Sequence, residues 1–248
     1  MTRLDWLTAR PVAHRGLHDR KAGVIENTPS AFAAAIAANY AIECDLQLSA
    51  DGEAMVFHDH DLDRLTQGSG PVVARTATEL CRVAFKDSPD HMPTLAELCA
   101  MAGGGVPLLL ELKSTFDGDL RLPLRVAEIL RGYDGKAAVM SFDPDQIAAL
   151  AAHAPGLPRG IVAERHFNDP EAAHLGSFAR ARLGCLLHAR RSRPHFIAYR
   201  VDDLPAPAPW IARHLFKLPL LAWTVRTKEQ CARATRFADQ MIFEGFRP

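Results

Sequence analysis

Short apolar runs of strand length recur along nearly the whole of this chain, and helix-opening signals stand between them. The strand candidates are Pro11–Ala13, Ala41–Leu48, Val106–Leu112, Ala137–Phe142, Gly160–Ala163, His195–Val201, Leu220–Val225 and Gln240–Phe243. Thr28-Pro29, Pro93-Thr94, Asp143-Pro144, Asp169-Pro170 and Thr227 supply N-capping side chains or an early proline, which satisfy or dispense with the first unpaired N–H groups of a helix. Further helices are expected over Leu120–Arg131 and Pro209–Phe216. Val106–Leu112 is apolar without alternation until Glu111, as a parallel strand covered on both faces reads. Met55–Phe57 is taken as an extension of the second strand.

About eight β/α units in 248 residues match the closed α/β barrel, the TIM (β/α)8 fold, whereas an open doubly wound sheet usually needs fewer strands. Residues 60–92 carry Gly and Pro punctuation, one short helix near Thr78–Val83 and no clear strand. They read as a short insertion after the second strand. No linker-like composition divides the chain, so one domain over 1–248 is expected.

Composition narrows the partners. Twenty-nine basic and 29 acidic residues give a formal net charge of +0, which argues against a nucleic-acid footprint or a polybasic membrane patch while leaving room for a local basic pocket. Five scattered cysteines without a CxxC pair read as reduced thiols. No stretch approaches the about 18 apolar residues of a membrane span. A soluble, cytoplasmic protein acting on a small molecule is the expectation, with no stable membrane insertion. The oligomeric state is open.

In such a barrel the C-terminal strand ends meet at one mouth. Read in order, those ends offer His14 and Arg15, then Glu43 and Asp45, then His58, then Glu111 and Lys113, and later Trp223. Glu43 and Asp45 project to one face of their strand; alone they suit a cation site or a solvated edge equally. With Glu111 they make an oxygen-only donor set for a hard divalent cation such as Mg²⁺ or Ca²⁺, whereas zinc prefers His and Cys. Arg15 and Lys113 suit an anionic ligand, phosphate before carboxylate. His14 and His58 suit a general acid and base near neutral pH. Together they describe phosphodiester cleavage.

Ordered motifs then carry a resemblance. HRG at 14–16, ENTPSAF at 26–32, ECD at 43–45, DGEAMVFHD at 51–59, LDRLTQGSG at 62–70, MPTLAEL at 92–98, LELK at 110–113 and AWTV at 222–225 make the chain similar to the glycerophosphodiester phosphodiesterases, almost end to end. The resemblance implies a TIM barrel with an extra segment at about 60–92. It implies hydrolysis of glycerophosphodiesters to sn-glycerol 3-phosphate and an alcohol, using Ca²⁺ or Mg²⁺. It assigns Glu43, Asp45 and Glu111 to the metal, His14 and His58 to acid/base catalysis, and Arg15 and Lys113 to the phosphoryl oxygens. The ending Asp239–Phe246 and Arg226 depart from the family pattern, and they bear on the rim of the mouth and substrate choice.

Blander readings stand beside these. Most of the 11 histidines, among them His18, His153, His166, His174 and His214, are expected to be structural. Trp223 suits the core or a contact with glycerol equally, Glu26 a partner for Arg15 or a loop carboxylate, and Asp59 and Asp61 a structural role. Competing functions are a lysophospholipase D, which would need an apolar groove and membrane contact, a non-catalytic phosphate-binding barrel, and a zinc hydrolase of the amidohydrolase type. No exposed basic amphipathic helix is evident for the first of these.

Overall fold

A computed structural model describes residues 4–167, 172 and 174–248. Its strands are β1 (Val12–Ala13), β2 (Ala41–Leu48), β3 (Ala54–Val56), β4 (Leu108–Leu112), β5 (Ala137–Ser141), β6 (Arg159–Ala163), β7 (Phe196–Arg200), β8 (Leu220–Val225) and β9 (Gln240–Phe243). The chain forms two compact units, one of residues 13–113 and 121–137, the other of residues 1–12, 114–120 and 138–248.

The first unit is organised on β2. β4 pairs with it in parallel, from Ile42 opposite Leu108 to Leu46 opposite Leu112. Ile42, Cys44 and Leu46 are fully buried, and so is the whole strand. Met55–Phe57 does not extend β2. Residues 49–52 turn the chain, with Gly52 at φ +85°, and β3 runs back antiparallel, Leu46 opposite Val56 and Leu48 opposite Ala54. The turn chemistry Ser-Ala-Asp-Gly makes a hairpin, which a reading of apolar runs alone does not distinguish from a continued strand.

The helix Pro29–Ala37 begins at Pro29 as expected, but Thr28 does not cap it: its hydroxyl donates to Ile25 O at 2.7 Å. The helix Leu95–Ala102 carries a complete capping box between Thr94 and Glu97 and ends on Gly103 at φ +50°. Residues 60–92 fold into turns and the short helix Ala77–Cys81. Leu62, Leu65, Val72, Leu80, Phe85 and Met92 from this segment pack on Ile25, Met55 and Phe57, so the segment is anchored by its own apolar cluster.

In the second unit β5 to β9 follow one another as parallel neighbours. Gly160 is required where β6 crosses Phe196, because a Cβ there would stand 2.3 Å from the ring. The helix start expected at Asp169-Pro170 lies outside the described residues; the described helix spans Ser177–Gly184. A further short helix, Ala189–Ser192, precedes β7. Among the described residues no helix is long and apolar enough to cross a membrane.

His188, in the second unit, gives a pH test of stability. Burial drives its pKa from 6.5 down to about 4, against a smaller opposing pull from the Leu183 carbonyl. A depressed imidazole pKa means that the unfolded chain binds the proton more readily between those values. Its contribution is therefore whole above pH 6.5 and lost as pH falls toward 4. Urea titrations of the protein should lose roughly 2 kcal/mol more than those of His188→Gln between pH 6.5 and pH 5; parallel curves would show that His188 is not held neutral.

Candidate active site

Three backbone hydrogen bonds register neighbouring segments on β2. Gly16 N–H donates to Glu43 O at 3.2 Å, Phe57 N–H to Asp45 O at 3.0 Å and Lys113 N–H to Leu46 O at 3.0 Å. They bring the chain at His14-Arg15, at His58 and at Glu111–Lys113 to the end of one strand. Gly16 allows this approach: it sits at φ +79°, and a Cβ would lie 2.9 Å from the Ala31 backbone.

Period two places Glu43, Asp45 and Gln47 on one face of β2. Glu111 is the parallel-strand partner of Asp45. One oxygen each from Glu43, Asp45 and Glu111 lies within 4.8 Å of the others. Glu43 and Asp45 are 1% exposed and Glu111 8%, so the solvated-edge alternative fails. Gln47 donates from Nε2 to His58 O at 2.9 Å and fixes the backbone from which that histidine projects.

Cations surround the acids. Lys113 Nζ donates to Glu111 Oε1 at 2.8 Å and lies 3.3 Å from Asp45 Oδ1. Arg15 Nε lies 3.2 Å from Asp45 Oδ2, an ion pair without hydrogen-bond alignment, while its Nη1 donates to Glu26 Oε1 at 2.6 Å. The Arg15 backbone is left-handed, φ 56°, and its N–H donates to Glu43 Oε2 at 2.9 Å. That bond offsets a conformation costing about 1–2 kcal/mol. Asn27, also left-handed at φ 58°, donates from Nδ2 to Asp45 Oδ2 at 2.9 Å.

The two carboxylates of β2 respond oppositely. Burial pushes the Glu43 pKa up, and repulsion from Asp45 and Glu111 pushes it further. Burial also pushes Asp45 up, but Lys113, His58, Arg15 and His14 outweigh it and hold the group well below the usual carboxylate range. Glu43 Oε1 is buried with no hydrogen-bond partner. An orphaned charged oxygen beside two more carboxylates is costly unless a cation faces it. Three hard oxygen donors at this spacing fit a divalent cation.

His14 Nε2 is 3.9 Å from Glu43 Oε2. His58 Nδ1 is 2.7 Å from Asp59 Oδ1, an arrangement that directs its other ring nitrogen away from that carboxylate. Asp59 in turn accepts from Arg64 Nε at 2.5 Å and Nη2 at 2.9 Å, and Arg64 also donates to Glu26 at 2.7 and 3.2 Å. A continuous chain of charge-assisted bonds therefore runs from His58 through Asp59, Arg64 and Glu26 to Arg15. Burial raises Asp59, yet its bonds to His58 and Arg64 win and keep it ionised far into acid.

Trp223 belongs to the second unit. It stands edge-on to Phe142, ring centres 5.4 Å apart, and Phe142 stands edge-on to Phe167 at 5.7 Å. Its Nε1–H is buried without an acceptor among the described residues.

A family model for the glycerophosphoryl diester phosphodiesterases matches residues 14–244. The chain belongs to this family, whose members are phosphoric diester hydrolases. A glycerophosphodiester phosphodiesterase of Caldanaerobacter subterraneus is 29% identical over 169 residues, 64% of this chain and 68% of that one. An Oleispira antarctica phosphodiesterase, solved with the product sn-glycerol-3-phosphate, superimposes with TM-score 0.75 at 19% identity, covering 96% of this chain and 94% of that one. The Thermotoga maritima glycerophosphodiester phosphodiesterase gives 0.70 at 22%, with 94% of each chain covered. These likenesses show the fold: this phosphodiesterase is a TIM barrel.

Sequence reading of the phosphodiesterase singled out Glu43, Asp45, Glu111, His14, His58, Arg15 and Lys113, and all seven converge in the first unit. The sequence pattern does not point to Asn27 or Arg64, and it leaves the bond from Asp59 to His58 unseen. One signal was available for Asn27, since asparagine tolerates the left-handed region that a turn before Thr28-Pro29 demands. Arg64 had none, because its role depends on how residues 60–92 fold back. In the second unit, Arg226 Nη2 pairs with Glu244 at 2.8 Å, so two positions that depart from the family pattern match each other.

Proposed function

We propose that the chain hydrolyses glycerophosphodiesters to sn-glycerol 3-phosphate and an alcohol. The single observation that carries the reading is the three-carboxylate cluster of Glu43, Asp45 and Glu111, ringed by Arg15, Lys113, His14 and His58. The three acids hold Mg²⁺ or Ca²⁺, which when bound supplies Lewis-acid polarisation of a phosphoryl oxygen. Arg15 and Lys113, tied to Glu26 and Glu111, neutralise charge on the phosphoryl group. One histidine removes the proton of the glycerol 2-hydroxyl as its oxygen attacks phosphorus. The other protonates the departing alcohol oxygen, and a cyclic phosphate forms. Water then opens the ring with the two roles exchanged.

An activity panel tests the reading: glycerophosphocholine, glycerophosphoethanolamine, a lysophospholipid and bis(p-nitrophenyl) phosphate, each with EDTA and with Mg²⁺, Ca²⁺ or Zn²⁺ restored. Turnover of the glycerophosphodiesters with Mg²⁺ or Ca²⁺ is expected. Turnover of the lysophospholipid alone would favour the lysophospholipase D reading, and dependence on Zn²⁺ the amidohydrolase one. Binding of glycerophosphodiesters without turnover would favour a phosphate-binding barrel.

Arg64 positions His58 through Asp59. In Arg64→Met, kcat should fall roughly 10–100-fold with KM little changed, and Arg64→Lys should recover part of it. Equal activity in Arg64→Met would remove Arg64 from the site.

A further inference from the structure

The stretch from residue 172 to 201 is one-sided in charge, with Glu171 before it and Asp202 and Asp203 after it. Residues 172–201 contain no Asp or Glu but hold Arg180, Arg182, Arg190, Arg191, Arg193 and Arg200, in a chain whose overall charge is balanced. Arg191 is paired with Asp145 at 2.8 Å and Arg200 with Glu164 at 3.0 Å. Among the described residues no carboxylate pairs with Arg182 or Arg190, and both are exposed.

Two large apolar side chains stand in water among these cations. Phe178 is 76% exposed and Leu187 66%, and the Arg182 guanidinium lies 6.0 Å over the Phe178 ring. Arg182, Leu187 and Arg190 line one open cleft of about 470 Å³, with Leu175, Ala179 and Leu183 as its apolar lining and the carboxylates of Asp143 and Asp145 on it as well. His188 lines it too, with Nδ1 3.3 Å from Ser192 Oγ. Exposed aromatic and aliphatic groups beside unpaired arginines suit a ligand surface that is anionic at one level and hydrocarbon beneath it.

We propose that this face docks onto an anionic lipid surface. Phe178 and Leu187 enter the interface, and Arg182 and Arg190 meet lipid phosphates. A nucleic acid would satisfy the arginines but offers no aliphatic chains for Phe178 and Leu187; basic side chains flanking exposed apolar ones are the interfacial pattern. The proposal does not rest on the reaction assigned to the first unit.

The test is co-sedimentation of the full chain with vesicles of equal phosphatidylglycerol and phosphatidylcholine, and of phosphatidylcholine alone. Binding to the anionic vesicles is expected, weakening as salt rises from about 0.05 to 0.2 M. The partition coefficient should fall about fivefold for each of Arg182→Ala and Arg190→Ala, and at least as much for Phe178→Ser with Leu187→Ser. All four side chains are exposed, so unchanged melting curves establish that the variants fold. No binding to anionic vesicles at low salt, equal binding to both vesicles, or full binding by the Phe178→Ser/Leu187→Ser protein would overturn the proposal. So would tighter binding to polyuridylate RNA than to the vesicles.

Discussion

Alanine at either His14 or His58 is expected to lower kcat by about 10²–10⁴-fold, while Mg²⁺ or Ca²⁺ binding, read by titration calorimetry, stays within a few-fold. The separation follows from the geometry. The oxygens that could hold a cation belong to Glu43, Asp45 and Glu111, whereas His14 Nε2 is 3.9 Å from Glu43 Oε2 and His58 is held from its Nδ1 side by Asp59. In the proposed reaction neither imidazole holds the cation, and both move protons. Full activity in either variant would exclude that histidine from catalysis.

Chelation is expected to have the second large effect. EDTA should reduce turnover by several kcal/mol of transition-state stabilisation, on the order of 10³-fold or more, with recovery on adding Mg²⁺ or Ca²⁺. Glu43→Gln sharpens the test because its two consequences have opposite sign. Burial and two neighbouring carboxylates raise the Glu43 pKa, so removing its charge relieves repulsion, and the chelated variant should melt higher than the chelated parent. The same variant should lose most of the metal-induced rise in melting temperature and most of the activity. A Glu43→Gln protein that binds metal normally would take Glu43 out of the donor set.

The fold and the chemistry of the first unit were unequally legible. Strand and helix alternation, buried β4, and the cap at Thr94 follow from local pattern and propensity, and these agree with the structure. β3 did not, because apolar content says nothing of chain direction and the turn at residues 49–52 decides it. Glu43, Asp45 and Glu111 were readable since period two and strand ends place them on one face. The chain from His58 to Arg15 was not, as Arg64 reaches Asp59 and Glu26 across 5 and 38 residues from a segment with little regular structure. The basic and apolar face at Phe178 and Leu187 was hidden for a related reason. A balanced total charge masks a local excess, and exposure is a property of the folded surface.

The most direct measurement is ³¹P NMR of the full chain with glycerophosphocholine and Mg²⁺ or Ca²⁺. The account predicts a single phosphomonoester product, sn-glycerol 3-phosphate, abolished by EDTA and by His58→Ala. Release of phosphocholine and glycerol, or turnover unchanged by chelation, would contradict it.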